Sequence, residues 1–216
     1  MVEFGTLDIL RNLIDAALWT VVLSVIAFAG GALVGLVALF ALVSGRRLPV
    51  MLARGYVEAF QGTPLLMQLF LIFFGLPLAG IEVSAWTAAI VSLVLFTGAF
   101  LAEIWRGCVE AVPKGQSEAA QALAMSYVER MRWVILPQAM RIAVPPTVGF
   151  SVQVVKGTAL TSIIGFVELA KAGTMIANAT FDPFTVYGFV ALIYFALCYP
   201  LSFAARRLER RLHVAR

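Results

Sequence analysis

Four stretches of this chain run on for the thickness of a bilayer without one charged side chain: Ala16–Gly45, Ala59–Ile81, Val83–Ala102 and Pro183–Ala205. A helix needs about twenty mostly apolar residues to cross the hydrocarbon layer. Runs of this kind predict an all-α integral membrane protein. The second and third are separated only by Glu82, so a tight turn is expected there, helped by Pro77 and Gly80. A fifth run, about Val144 to Val167, is interrupted by Lys156 and opens on Pro145 and Pro146, and it too reads as a span. About five spans result, near 16–43, 57–79, 84–105, 144–167 and 184–205, in a single domain covering residues 1–216. Composition agrees, with 62% hydrophobic and 13% charged residues, where soluble domains have roughly half and about a quarter.

Positive charge orients the set, because Lys and Arg accumulate on the cytoplasmic side. With the C-terminus inside, Arg46, Arg47 and Arg54 fall inside, as do Arg106, Lys114, Arg130, Arg132 and Arg141 of the long polar segment. The tail residues Arg206, Arg207, Arg210, Arg211 and Arg216 join them, and only Arg11 and Lys171 stay outside. The expected topology is N-terminus out and C-terminus in. The start, with Glu3, Asp8, Arg11 and Asp15, lacks the basic stretch and short apolar core of a secretory signal, so no cleavable targeting segment is expected. Gly31 and Gly35 have the spacing that lets two helices approach closely. Trp19, Trp86 and Tyr187 lie near span ends, where amphipathic rings favour the headgroup level. Cys108 and Cys198 have neither metal-ligand nor disulfide-framework spacing and read as small buried hydrophobes.

The one sizeable polar segment, about 110–140, contains PKGQSEAAQALAMSYVERMRWVILP between Pro113 and Pro137. Good helix formers fill it, and Ser126 stands three residues before Glu129, the capping-box spacing. Two short helices are predicted, about Gln116–Met125 and Tyr127–Leu136, with a break at Met125–Ser126 and Pro137 as the stop. The first carries Glu118 among Ala119, Ala120, Ala122 and Ala124, a surface slim enough to lie in another protein's groove. A plain alanine-rich surface helix would look the same.

Glu118–Ala119–Ala120, followed at the right distance by Leu136–Pro137, resembles the EAA loop of permease subunits of bacterial ABC importers. Ala124 stands where that family has glycine, and Val134 where it has isoleucine. Gly62–Thr63–Pro64–Leu65–Leu66, Ala102–Glu103–Ile104, Val112–Pro113–Lys114–Gly115–Gln116, Ser162–Ile163–Ile164–Gly165, Glu168–Leu169 and Pro200–Leu201–Ser202 are similar to motifs of its polar amino acid (histidine, glutamate, glutamine, arginine and opine) branch, and cover nearly the whole chain. Gln61 departs from the usual arginine, and Gly157 from the acid or amide that often follows the lysine. The resemblance implies a coupling helix formed by Glu118, Ala119, Ala120, Ala124, Leu136 and Pro137, seated in a cleft of an ATP-binding subunit. It also implies two such subunits holding ATP and magnesium, a second permease chain, and a periplasmic or lipid-anchored binding protein that delivers an amino acid. Localisation would be the bacterial inner membrane, in contact with lipid and with no nucleic acid partner.

No GxxxxGK[ST] phosphate loop occurs, so ATP hydrolysis is not expected in this chain, nor any cofactor of its own. No catalytic or metal-binding constellation is apparent; the single histidine, His213, sits in the basic tail. Polar residues at membrane depth are the default candidates for function. Lys156 lies roughly 20 Å along a fourth span beginning near Ile142, at 1.5 Å per residue, too deep for easy snorkelling. It should face a cavity, a carbonyl or a carboxylate. Gln61 and Gln68 are two turns apart, hence expected on one face, with Thr63 and Pro64 between them. Thr158, Thr161 and Ser162 could add hydroxyls to a substrate path, and interhelical packing would account for all of these equally well. Glu103 and Arg106 are spaced to pair with each other. An ATP-independent channel or secondary transporter, or an importer of another solute such as methionine, are the alternatives.

Overall fold

The computed structural model describes residues 5–213, so the expectations for Glu3 and Arg216 lie outside the described residues. It contains helices and connecting turns only. In chain order they are α1 (Thr6–Leu42), α2 (Arg47–Gln61), α3 (Leu65–Leu78), α4 (Ala85–Glu110), α5 (Lys114–Ala122), α6 (Tyr127–Ile164), α7 (Leu169–Thr180) and α8 (Pro183–His213). Four of these are long and apolar enough to span a membrane, and five spans result if the bent pair α2–α3 counts as one.

At the centre stands α4, whose most apolar window is 50% buried, against 11% for α8 at the periphery. Its N-terminus is set by Ser84, whose hydroxyl accepts from the Thr87 backbone N–H. Ala88, Ala89, Leu93 and Leu101 of α4 pack with Leu23 and Ala27 of α1, Leu65 and Leu69 of α3, and Phe150, Val154 and Ile164 of α6. A second cluster joins Ile9, Leu13 and Ala16 of α1 to Leu169 and Ile176 of α7 and Val186 and Val190 of α8. The α1–α4 crossing has no slack. A Cβ on Gly31 would come within 2.5 Å of Thr97 Cβ, and one on Gly35 within 3.0 Å of the Gly98 carbonyl. In a membrane, where lipid competes equally for apolar surface, such close approach is what favours helix association.

Several elements differ from the sequence-based expectation. The first helix starts at Thr6, ahead of the apolar run, and α4 continues to Glu110. The second span is not one helix: α2 and α3 meet at 103°. Pro64 is extended there, at φ −62° and ψ 138°, and donates no N–H, so α2 ends and α3 begins afresh. Gln61 and Gln68 therefore share no helical face. The helix predicted to stop at Leu136 instead runs from Tyr127 through to Ile164, so the polar segment and the fourth span are one rod. Pro137 does not terminate it. The backbone widens to a π-turn at Met131–Ile135, just ahead of the proline that lacks a donor. Leu71–Gly75 does the same just ahead of Pro77 in α3. One further helix, α7, lies between the fourth and fifth expected spans.

The turn between α5 and α6 begins three residues before the expected end of the first helix at Met125. α5 ends at Ala122, and the N–H groups of Ala124 and Met125 bond the carbonyls of Gln121 and Ala120, the Schellman arrangement. Its left-handed position is Ala124, at φ 57°. Ser126 and Glu129 then form a reciprocal capping box that starts α6. A non-glycine residue in this backbone region is strained by about 1–2 kcal/mol, partly offset by glycine's greater unfolded freedom. Ala124→Gly is accordingly expected to stabilise the turn by about 0.5–1 kcal/mol. Slower amide exchange at Met125 would report it; faster exchange would show that the turn is not strained.

Candidate functional site

Two regions carry the polar side chains singled out in the sequence. The first is the α5–α6 segment at one end of the bundle. Glu118 and Ala119 are exposed, Ala120 is buried at 3% exposure, Ala124 and Pro137 are exposed and Leu136 is half-buried. α5 is held to the body by one edge, with the Gln138 amide donating to Gln116 Oε1 at 3.3 Å. Beneath, Val112, Ile135 and Ala139 form a small apolar seat. Along this segment Leu123, Val128 and Trp133 are exposed, at 77%, 70% and 66%. Exposed apolar groups and an exposed carboxylate on one short, tethered segment make a surface suited to a protein partner.

The second region is where two interruptions of helical backbone pack together inside the bundle. Leu65–Phe70, the first part of α3, lies against Ala159–Ile164, a 3₁₀ stretch that ends α6. Gly157 lets them approach, since a Cβ there would stand 3.3 Å from Leu65 Cδ2. The Gln68 amide turns back on the broken end of α2 and donates to the carbonyls of Phe60 at 2.9 Å and Thr63 at 3.0 Å. These are carbonyls that a helix end leaves orphaned. Gln68 is thus a brace for the break. Its Oε1, buried with the side chain at 7% exposure, has no partner among the described residues. Gln61 is exposed and reaches the Ala99 carbonyl at 3.4 Å, while the Thr63 hydroxyl donates to Ala59. Thr158 and Thr161 are fully buried and donate to the backbone of Val155 and Thr158, and half-buried Ser162 donates to Ala159.

Lys156 was expected to face a cavity, a carbonyl or a carboxylate. It lies exposed on the surface of α6, beside exposed Gln153, with no acidic side chain at ion-pair distance among the described residues. Glu103 does pair with Arg106, through Nε at 2.9 Å, and Arg106 also bonds Glu110. Trp19 and Trp86 meet edge to face at 5.9 Å, and Trp86 lies 5.0 Å from Phe166. With Val167 these rings line a shallow cleft at the end of the bundle opposite α5.

Sequence reasoning missed the role of Glu168, which had been noted only within a motif. Its side chain is fully buried, and one carboxylate oxygen accepts from the Tyr194 hydroxyl at 2.7 Å and the Thr20 hydroxyl at 3.2 Å. The other accepts from the Lys171 N–H at 2.9 Å and so caps α7, while Thr20 Oγ1 accepts from the Leu169 N–H. One carboxylate therefore ties α1, α7 and α8 together. A glutamate at the edge of an apolar run was the available signal.

A bundle of broken and continuous apolar helices, with the short helix α5 joined to α6 through a tight turn, is the architecture of a multi-pass membrane protein. The profile of the family described as binding-protein-dependent transport system inner membrane component matches residues 34–214, and the chain belongs to that family. It is 38% identical over 204 residues to the glutamine transport system permease protein GlnP of Escherichia coli (strain K12), covering 94% of this chain and 93% of that one. It is 37% identical over 193 residues to the probable amino-acid ABC transporter permease protein YckA of Bacillus subtilis (strain 168), covering 89% and 85%. The crystal structure of an amino acid ABC transporter with histidines superposes with a TM-score of 0.90 at 33% identity, over 97% of this chain and 100% of that one.

Proposed function

We propose that this chain is the permease subunit of an ATP-driven amino acid importer of the bacterial inner membrane. Its N-terminus faces out and its C-terminus in, and α1, the bent pair α2–α3, α4, α6 and α8 are its five spans. The observation that carries the reading is the continuity of α6. One helix begins beside α5, with Glu118, Ala119, Ala120 and Ala124, and reaches Lys156 roughly 45 Å away at 1.5 Å per residue. Closure of ATP-binding subunits on α5 would be transmitted along that rod to the place where α3 and the end of α6 meet.

A charged residue facing lipid at mid-span costs several kcal/mol, so exposed Lys156 and Gln153 call for a polar surface beside them. A second permease chain, the same or similar, supplies it and closes a path between the two. Exposed Gln61, Thr63 and Lys156, with half-buried Ser162, then form the polar region available to a zwitterionic amino acid, and buried Gln68, Thr158 and Thr161 brace the helices behind it. Hydrolysis of ATP with magnesium takes place on the two partner ATP-binding subunits, and a periplasmic or lipid-anchored binding protein delivers substrate. Lys156→Met is expected to lower uptake at least ten-fold while the chain still assembles; unchanged uptake removes Lys156 from the path. The assembly itself is tested by purification from the native membrane in mild detergent, with mass spectrometry of the eluate. An ATP-binding subunit should co-purify; an intact complex without one would sink the reading.

A further inference from the structure

Movement of α5 reaches α6 directly, because the two are joined by a tight turn, but α1 has no covalent link to that turn. Its C-terminal end nevertheless touches it. The Tyr127 hydroxyl, on the first residue of α6, donates to the Val43 carbonyl, the cap of α1. That carbonyl belongs to the set a helix end leaves without partners. The Arg130 guanidinium lies 5.5 Å over the Tyr127 ring and holds it from the α6 side. Tyr127 directly follows the Ser126 cap and stands three residues after the left-handed Ala124, so it lies at the α5–α6 turn itself.

What α1 would carry onward is also defined. The Gly31–Thr97 and Gly35–Gly98 contacts leave no room for α1 to slide on α4, so the pair moves as a unit. Toward the other end, Thr20 of α1 holds buried Glu168 and the Leu169 N–H, and Glu168 holds Tyr194 of α8. A displacement entering at Val43 therefore reaches α4 laterally and α7 and α8 at the far side. Nothing else among the hydrogen bonds described joins α1 to the α5–α6 turn.

We propose that Tyr127 is a positioning residue, the fastening through which movement of α5 is passed to the α1–α4 pair, and that it sets how much substrate crosses per ATP hydrolysed. This rests on the reading of α5 as the coupling helix. The test uses the complete complex in proteoliposomes, with a radiolabelled amino acid mixture as the probe, and measures uptake and ATP hydrolysis in the same preparation. Tyr127→Phe keeps the ring over Arg130 and removes only the donor. Loss of one such bond shifts an equilibrium about five-fold, so uptake per ATP should fall about five-fold while assembly and hydrolysis persist. An unchanged ratio overturns the proposal. So does failure to assemble, or a fall in both rates by the same factor, since the hydroxyl would then only hold the loop in shape. If the wild-type complex itself shows no ATP-dependent uptake, the coupling reading fails, whatever the variant does.

Discussion

Glu118→Lys is expected to reduce ATP-driven uptake to background while leaving the chain inserted and folded. The side chain is exposed on α5, and no ion pair or hydrogen bond from it to another described residue is present. Surface substitutions of that kind change stability by less than about 0.5 kcal/mol. The effect must then fall on whatever docks against α5. Reversing a charge at a desolvated contact costs about 2–5 kcal/mol, enough to empty the complex at cellular concentrations. Uptake assays and immunoblots of the membrane fraction would show the two parts separately. Retained uptake would mean that α5 does not bear the contact, and the polar end of α6 would need another explanation.

Gly31→Val should have the largest effect on the fold. A Cβ at position 31 would already stand 2.5 Å from Thr97 Cβ and 3.1 Å from the Gly98 backbone nitrogen, and valine adds two methyl groups. Neither the fully buried Thr97 nor a backbone atom can yield easily. Overpacking typically costs about 1–3 kcal/mol, and here it also separates the two helices that anchor the main core. Thermal unfolding in detergent is expected to shift down by many degrees, with loss of the monodisperse peak on gel filtration. Gly55→Ala is the control, because nothing lies within 4 Å of a Cβ there, and α2 gains about 1 kcal/mol of helix propensity. Equal melting of the two variants would show that α1 and α4 are not tightly interlocked.

Much of this architecture was legible before the fold was seen. Uncharged apolar runs define spans because the bilayer fixes their length, and the Ser126–Glu129 box marks a helix start whatever surrounds it. The α2–α3 break was not legible as a bend. Apolar length is counted along the chain and says nothing of direction, and Gly62–Thr63–Pro64 is compatible with a kinked helix as well as a 103° turn. Pro137 misled in the opposite sense: a proline can be absorbed by a π-turn, and the helix runs on past it to Ile164. The bond between Thr20 and Glu168 spans 148 positions and has no local signature. Lys156 was placed on the right helix, but the side it presents depends on rotations set by α4 and α8.

The most direct test of the account is uptake by proteoliposomes that contain this chain with its co-purified partners. The binding protein is supplied outside, ATP inside, and a radiolabelled amino acid mixture is the probe. The account predicts accumulation that requires both ATP and the binding protein and that persists when ion gradients are collapsed. Accumulation driven by a gradient alone, with ATP omitted, would contradict it.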